Sequence, residues 1–324
     1  MDLPLTHEFQ GWNIRYDVKQ SRTTTGSNRG QPQCVVFVHG TPWSSIVFKP
    51  IITALLAKGS YQILVYDLPG YGQSQEYNLD SNTTTSKAGF LGDTSVKFQA
   101  EALTELLRHL GLDGKCSNTT PSIIAHDIAG TIVLRAHLLH DCNFATMMLA
   151  ETNCVLPWGD GFYKLARSEP QAFVKLPPKI FEAVVRAVIQ SACHDTNVLK
   201  TGWEDILVQP WISSDGVEAE DRQRSFVRQI AQADDQDISE MLEGDLYMHV
   251  RCDVKIVWGE QDQWIPRQKI EQLIKMLGNK AKETAFIPDA GHLVMLDQPE
   301  RFAIEVFDWL IHHQTPQSFI QMLS

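Results

Sequence analysis

The stretch Ser122-Ile123-Ile124-Ala125-His126-Asp127-Ile128-Ala129-Gly130 decides the fold that we predict for this chain. Its β-branched run predicts a buried strand, and the apolar residues over 128–140 predict a helix. Small residues, Ala125 and Ala129, lie two positions on either side of Asp127, as a sharp strand-to-helix turn requires. A helix N-cap is the commoner role for such an aspartate, but a carboxylate at the apex of this turn can also attack carbon and form an ester.

The composition is that of a folded, acidic protein. The chain has 324 residues, of which 43% are hydrophobic and 21% charged, with a formal net charge of -11. This length fits a large α/β domain with an insertion. The negative charge and the lack of a basic run argue against a nucleic acid or an anionic membrane as partner.

Several features of the sequence bear on location and assembly. The first residues, Met-Asp-Leu-Pro-Leu-Thr-His-Glu, lack the apolar segment of a secretory signal, and no apolar stretch approaches membrane-spanning length. The six cysteines form no CxxC pair and no metal-ligand spacing, so we expect buried free thiols and no metal. A cytoplasmic protein is therefore expected. Its oligomeric state stays open, with a homodimer as one option.

Strand-like and helix-like segments alternate along the chain, which predicts a mostly parallel central sheet with helices on both faces. The segment 6–18, with Gly11 in its middle, reads as a hairpin. We predict a first core part over 1–154, a helical lid inserted over 155–245, and a second core part over 246–324.

Three candidate catalytic residues each follow a predicted strand, in the order Asp127, Asp262 and His292. Ligands bind outside the carboxyl ends of the strands in open α/β sheets, and a nucleophile, an acid and a histidine in this order match a catalytic triad. Asp127 would attack carbon, His292 would activate water, and Asp262 would orient the imidazole. Glu151 also follows a predicted strand and is the alternative triad acid.

The motif His39-Gly40-Thr41-Pro42 follows an early predicted strand. This architecture places one oxyanion-stabilising backbone N–H group there and a second after the nucleophile. We therefore predict donors at Thr41 and Ile128, against the simpler reading of an ordinary Gly/Pro turn.

With these features, the chain resembles the α/β-hydrolase family over about residues 9–313. The shared marks are the His39-Gly40-Thr41-Pro42 motif, the stretch Asp67-Leu68-Pro69-Gly70-Tyr71-Gly72-Gln73-Ser74, the Asp127 turn, the Asp262 loop and Gly291-His292. Within the family it resembles the aspartate-nucleophile branch, which contains soluble epoxide hydrolases, haloalkane dehalogenases and fluoroacetate dehalogenases. The resemblance implies covalent hydrolysis of a small molecule without a cofactor.

Departures from the family patterns favour an epoxide as substrate. Haloalkane dehalogenases commonly hold the halide with a Trp after the nucleophile and an Asn or second Trp elsewhere, whereas Ile128 and Thr41 stand at two such positions. Fluoroacetate dehalogenases use arginines where this chain has Ile128 and Thr131. Epoxide hydrolases protonate the ring oxygen with two lid tyrosines, for which Tyr163 and Tyr247 are the candidates.

The predicted lid is rich in large apolar side chains, which indicates a neutral, hydrophobic substrate. The expected partners are this small molecule and water. These side chains are Trp158, Phe162, Phe173, Phe181, Trp203, Trp211 and Phe226. Dehalogenation is the alternative hydrolytic activity. A cofactor-independent lyase or dioxygenase of the same fold, and a ligand receptor with vestigial catalysis, are the alternatives outside hydrolysis.

Overall fold

The structure is a computed structural model that describes residues 1–21, 32–78, 90–115, 119–159 and 161–313. Cys116 and most of two polar stretches that read as loops, 21–33 and 78–87, lie outside the described residues. The cysteines at 34, 142, 154, 193 and 252 are buried and free, as expected.

One sheet of eight strands organises the described part of the chain. The strands are β1 (Leu5–Phe9), β2 (Trp12–Gln20), β3 (Gln33–Val38), β4 (Tyr61–Tyr66), β5 (Ser122–His126), β6 (Thr146–Ala150), β7 (Asp253–Gly259) and β8 (Ala281–Ile287). Their order is β1-β2-β4-β3-β5-β6-β7-β8. The pairs β1–β2 and β2–β4 are antiparallel, and the other neighbours are parallel. The prediction of a mostly parallel sheet is confirmed.

Helices surround this sheet. They are α1 (Lys49–Lys58), α2 (Val96–His109), α3 (Ile128–Leu138), α4 (Gly161–Ser168), α5 (Pro170–Val174), α6 (Pro178–Ser191), α7 (Trp203–Val208), α8 (Gly216–Ala231), α9 (Gln236–Leu242), α10 (Arg267–Leu277), α11 (Val294–Asp297) and α12 (Pro299–His312). Every residue of β5 and β6 is buried. Side chains of a strand alternate between the two faces of its sheet, so both faces are covered there.

A helical insertion, which we define as residues 161–242, separates β6 from β7. It contains α4 to α9, and its described residues include no strand, as the sequence pattern predicts. The boundaries of the three predicted chain parts stay predictions. No helix among the described residues is long and apolar enough to cross a bilayer.

The first two strands form the predicted hairpin. Phe9 pairs with Trp12 across the turn, and Gly11 there has a φ of 87°, a conformation that a side chain disfavours. The helix predicted over 128–140 ends two residues earlier, at Leu138.

Candidate active site

Asp127 lies at the apex of a strained turn between β5 and α3. Its φ of 58° and ψ of -127° are rare for a residue with a side chain. Although Asp127 directly precedes α3, its carboxylate forms no capping hydrogen bond with that helix. Gly40 makes the close approach possible, since a Cβ atom there would lie 2.5 Å from the Asp127 Cβ. The turn therefore presents the carboxylate away from the helix backbone.

The loop after β3 supplies a donor to this carboxylate. The Thr41 backbone N–H donates to Asp127 Oδ2 over 2.9 Å. Ile128, the second predicted donor, is the first residue of α3 and lines the same cavity as Thr41 and Asp127. Donors at this position can stabilise negative charge that develops on Oδ2.

His39 and Pro42 join that loop to its surroundings through hydrogen bonds. His39 Nε2 accepts a hydrogen bond from the Leu68 N–H over 2.9 Å, and Nδ1 lies 2.8 Å from the Gly40 carbonyl oxygen. These partners fix a neutral ring with its proton on Nδ1, in keeping with the full burial that lowers the pKa of His39. The Pro42 carbonyl accepts from Trp211 Nε1 over 2.7 Å, which ties the loop to the helical insertion.

The structure brings the three predicted catalytic side chains together at the carboxyl ends of their strands. His292 Nδ1 lies 2.8 Å from Asp262 Oδ2, and His292 Nε2 lies 3.6 Å from Asp127 Oδ1. The other Asp262 oxygen accepts from the N–H groups of Trp264, over 2.6 Å, and Ile265, over 3.1 Å. The imidazole is therefore oriented by one carboxylate and directed at the other.

The electrostatics of this group favour a charged imidazole. Full burial by itself would lower the pKa of His292, but the carboxylates of Asp262 and Asp127 raise it to about 10. Burial likewise opposes ionisation of Asp262, but His292 holds the pKa of that carboxyl below its usual value. The two carboxylates therefore favour the charged form of the ring.

Glu151 lies behind Asp262, at the end of β6. It is fully buried, and its Oε1 accepts from the Gly259 N–H over 2.6 Å. Burial, followed by the charge of Asp262, raises the pKa of Glu151 well above its usual value. Since the hydrogen-bond partner of His292 Nδ1 is Asp262, the geometry favours Asp262 over Glu151 as the triad acid.

A small cavity of about 60 Å³ opens beside Asp127. Its lining residues come from the strand-end loops and the helical insertion: Thr41, Asp127, Ile128, Asn153, Trp158, Gly159, Tyr163, Arg167, Gln229, Ile230, Ala233, Trp264 and Ile265. Typical ligand pockets enclose about 300–1,000 Å³, so this cavity is several-fold smaller than most of them.

Several lining residues escape the sequence analysis. Trp264 stacks on His292, with ring centroids 4.7 Å apart, and its place two residues after Asp262 is a signal that could have identified it. Arg167 lines the cavity from α4 but donates to Asp235 and to the Trp158 carbonyl. No motif marks Arg167 or Gln229, because their place in the cavity depends on how the insertion packs.

The two candidate acid donors lie in different places. Tyr163 lines the cavity and packs edge-on against Trp264, with ring centroids 5.4 Å apart. Tyr247 is buried, and its hydroxyl donates to the Cys154 carbonyl over 2.7 Å. The structure therefore brings Tyr163, and not Tyr247, to the cavity.

Most of the large apolar side chains of the predicted lid pack the insertion. Trp158 lines the cavity. Phe162 packs against Phe173, and Phe226 contacts both Phe181 and Trp211. Trp203 is partly buried against the core.

Comparisons with known proteins agree with this architecture. The family model described as the alpha/beta hydrolase family matches residues 35–306. A search of curated proteins found no match. An alpha/beta hydrolase fold protein from Burkholderia ambifaria is 28% identical with a TM-score of 0.74, over 95% of this chain and 98% of that chain.

More distant structures share the fold. A thermophilic esterase from Thermogutta terrifontis is 18% identical with a TM-score of 0.68, over 96% of this chain and 97% of that chain. A candidate epoxide hydrolase from Pseudomonas aeruginosa is 18% identical with a TM-score of 0.60, over 95% of each chain. With a family match that spans most of its length, the chain belongs to the alpha/beta hydrolase family.

Proposed function

We propose that this protein hydrolyses a neutral, apolar small molecule through a covalent ester on Asp127, and that its natural electrophile is an epoxide. The observation that carries the proposal is the placement of the two Asp127 oxygens. Oδ2 accepts from the Thr41 N–H, and Oδ1 lies 3.6 Å from His292 Nε2, at a turn where the carboxylate caps no helix. This arrangement suits a nucleophile that later becomes the acyl part of an ester.

In the first step, Asp127 Oδ1 attacks an epoxide carbon. A C–Oδ1 bond forms, the ring C–O bond breaks, and the ring oxygen receives a proton. Tyr163 lines the cavity and is the proposed donor, with its proton later restored from solvent. The product of this step is a hydroxyalkyl ester on Asp127.

Ester formation changes the electrostatics of His292. Asp127 is one of the two carboxylates that raise the pKa of this histidine to about 10. An ester carries no charge, so alkylation lowers the pKa of His292 and favours the neutral base. The covalent step thereby prepares the histidine for the next one.

In the second step, neutral His292 takes a proton from water, whose oxygen attacks the Asp127 carboxyl carbon. Negative charge develops on Oδ2, which already accepts from the Thr41 N–H. The bond between that carbon and Oδ1 then breaks, and the diol leaves with Oδ1, which takes the remaining proton of the former water, so Asp127 is again a carboxylate and His292 keeps its proton. The water oxygen remains on Asp127.

Trapping the ester tests this proposal. With His292→Gln, a small apolar epoxide should still alkylate the protein, but hydrolysis should stall because the base is missing. Intact-protein mass spectrometry should show an adduct of the epoxide's mass, which peptide mapping places on Asp127. The control, Asp127→Asn with His292→Gln, should show none. Turnover that survives Asp127→Asn, with no adduct in His292→Gln, would contradict the proposal.

Dehalogenation is a second candidate. The halide-binding positions of haloalkane dehalogenases hold Ile128 and Thr41 here, but two indoles from elsewhere in the chain line the cavity. Trp158 and Trp264 both line it, although Trp264 Nε1 donates to Ser191 Oγ over 3.1 Å. Matched epoxide and bromoalkane substrates separate the two activities. Faster bromide release than diol formation would favour a halide as leaving group and reject the epoxide.

A further inference from the structure

We propose that Glu151 is protonated in the native protein and donates a hydrogen bond to Asp262, so that a carboxyl–carboxylate pair stands behind His292. The consequence for catalysis rests on the proposed function. The protonation of Glu151 itself does not depend on it. Glu151 is then a positioning residue that acts on the histidine through Asp262.

The surroundings of the Glu151 oxygens support this proposal. Oε1 accepts the Gly259 N–H over 2.6 Å, whereas no donor among the described residues reaches the buried Oε2. A carboxylate oxygen of Glu151, a carboxylate oxygen of Asp262 and a ring nitrogen of His292 all lie within 4.8 Å of one another. Two ionised carboxylates so close in a buried site repel strongly. A proton on Oε2 removes that repulsion and gives this oxygen a partner.

The distribution of donors decides which carboxyl holds the proton. Asp262 accepts from His292 Nδ1 and from two backbone N–H groups, whereas Glu151 accepts from one. Each donor favours the ionised form of its acceptor. Asp262 is therefore the anion of the pair, and Glu151 is the acid.

The charges that face Glu151 act in the same direction. Burial raises the pKa of Glu151, and the nearby carboxyl groups of Asp262 and Asp297 raise it further. His292 is hydrogen-bonded through Nδ1 to Asp262 and lowers the pKa of that carboxyl. Both Asp262 oxygens, Glu151 Oε1 and His292 Nδ1 already have partners, so the cluster is arranged to hold a proton more readily than a metal ion.

A neutral Glu151 has a consequence for the second catalytic step. Its hydrogen bond stabilises the Asp262 anion without adding charge beside the histidine. An ionised Glu151 would hold His292 in its protonated form even after Asp127 is esterified, and the ring could not then take a proton from water.

The pH dependence of stability tests the protonation without any substrate. Native Glu151 retains a proton that the unfolded chain releases above the ordinary glutamate pKa of about 4.3. The pKa is raised by folding, so the wild type loses stability as pH rises. Glu151→Gln cannot titrate, while its amide retains an acceptor for Gly259 and a donor for Asp262.

We expect the Tm of Glu151→Gln minus that of the wild type to increase steadily from about pH 5 to about pH 8, above the ordinary glutamate pKa of about 4.3. The matched control is Glu260→Gln, on an exposed residue nearby, for which the difference should stay flat. A flat difference for Glu151→Gln as well would overturn the proposal, whether or not Asp127 forms an ester.

Single-turnover hydrolysis of the Asp127 ester tests the role of the pair. In Glu151→Leu, Asp262 loses a donor and becomes more basic, so the acidic midpoint of the pH–rate profile should move to higher pH. Glu151→Gln should restore the midpoint to that of the wild type. A midpoint that moves to lower pH in Glu151→Gln would show that a negative charge was removed, and would overturn the proposal. If Glu151→Leu does not fold, the Glu151→Gln midpoint and the Tm series decide alone.

Discussion

The strand-end loops and the helical insertion use charged residues in opposite ways. At the ends of β5 to β8, Asp127, Glu151, Asp262 and His292 are buried and bonded to one another or to backbone groups. In the insertion, several charged side chains form partly exposed pairs, such as those of Arg186 with three acidic residues. Separating a buried charge from its partner costs much of the free energy of unfolding, whereas an exposed ion pair contributes little to it. The loops therefore hold the charged groups of the proposed chemistry, whereas the insertion lines the cavity and supplies Tyr163.

Asp262→Asn should have the largest effect on the reaction rate, and it tests the role of the buried charges in the strand-end loops. An amide in place of the carboxylate no longer favours the imidazole form in which Nδ1 carries a proton and Nε2 accepts one. By analogy with the equivalent substitution in serine proteases, ester hydrolysis should slow by about 10⁴-fold. Ester formation should persist, so the Asp127 adduct should accumulate.

Single-turnover kinetics with mass detection measures both steps separately. The matched control is Asp253→Asn at the opposite end of β7, where the aspartate is partly exposed and pairs with Lys282. That variant should hydrolyse the ester at the wild-type rate. A hydrolysis rate that falls less in Asp262→Asn than in Glu151→Gln would move the triad acid to Glu151.

Tyr163→Phe should have the next largest effect and tests where the insertion touches the chemistry. Loss of a positioned acid should slow ring opening by about 10²–10⁴-fold, with little change in the rate of ester hydrolysis. Pre-steady-state alkylation of Asp127 measures this step. The control is Tyr247→Phe, which should alkylate normally and lose about 1 kcal/mol of unfolding free energy with the bond to Cys154. Full activity in Tyr163→Phe would remove this residue as the acid.

The sequence predicts the residues of the strand-end loops better than those of the helical insertion. Asp127, Asp262 and His292 could be located because a strand pattern ends at a chemically distinctive residue, and parallel strands bring their carboxyl ends to one edge. Thr41 followed from its motif. Tyr163 and Tyr247 were both candidate acid donors, and the structure separates them because the Tyr247 hydroxyl donates to the Cys154 carbonyl, whereas Tyr163 lines the cavity.

The protonation of Glu151 was beyond sequence reasoning for a related reason. Its environment depends on two segments that are distant along the chain, one with Gly259 and Asp262 at the end of β7 and one with Asp297 at the end of α11. Short-range patterns locate groups at strand ends, whereas the pKa of a buried carboxyl depends on which groups meet there.

Arg186→Ala should have the smallest effect and tests the insertion's exposed face. Arg186 on α6 donates to Glu182 of its own helix, and to Glu204 and Asp205 of α7. The Arg186 side chain is 29% exposed, so water and salt screen these pairs. We expect the loss of the guanidinium to cost about 1 kcal/mol of unfolding free energy, and the cost should shrink as salt is added. Arg186→Lys should recover part of that free energy, because an ammonium keeps the charge but lacks the planar guanidinium fork.

Denaturant unfolding at two salt concentrations measures the change in unfolding free energy, and single-turnover alkylation should match the wild type in both variants. A loss of alkylation as large as that of Tyr163→Phe would mean that the α6–α7 contact positions the cavity wall. The exposed ion pairs of the insertion would then matter for the reaction as the buried groups of the strand-end loops do, and the contrast between the two regions would fail.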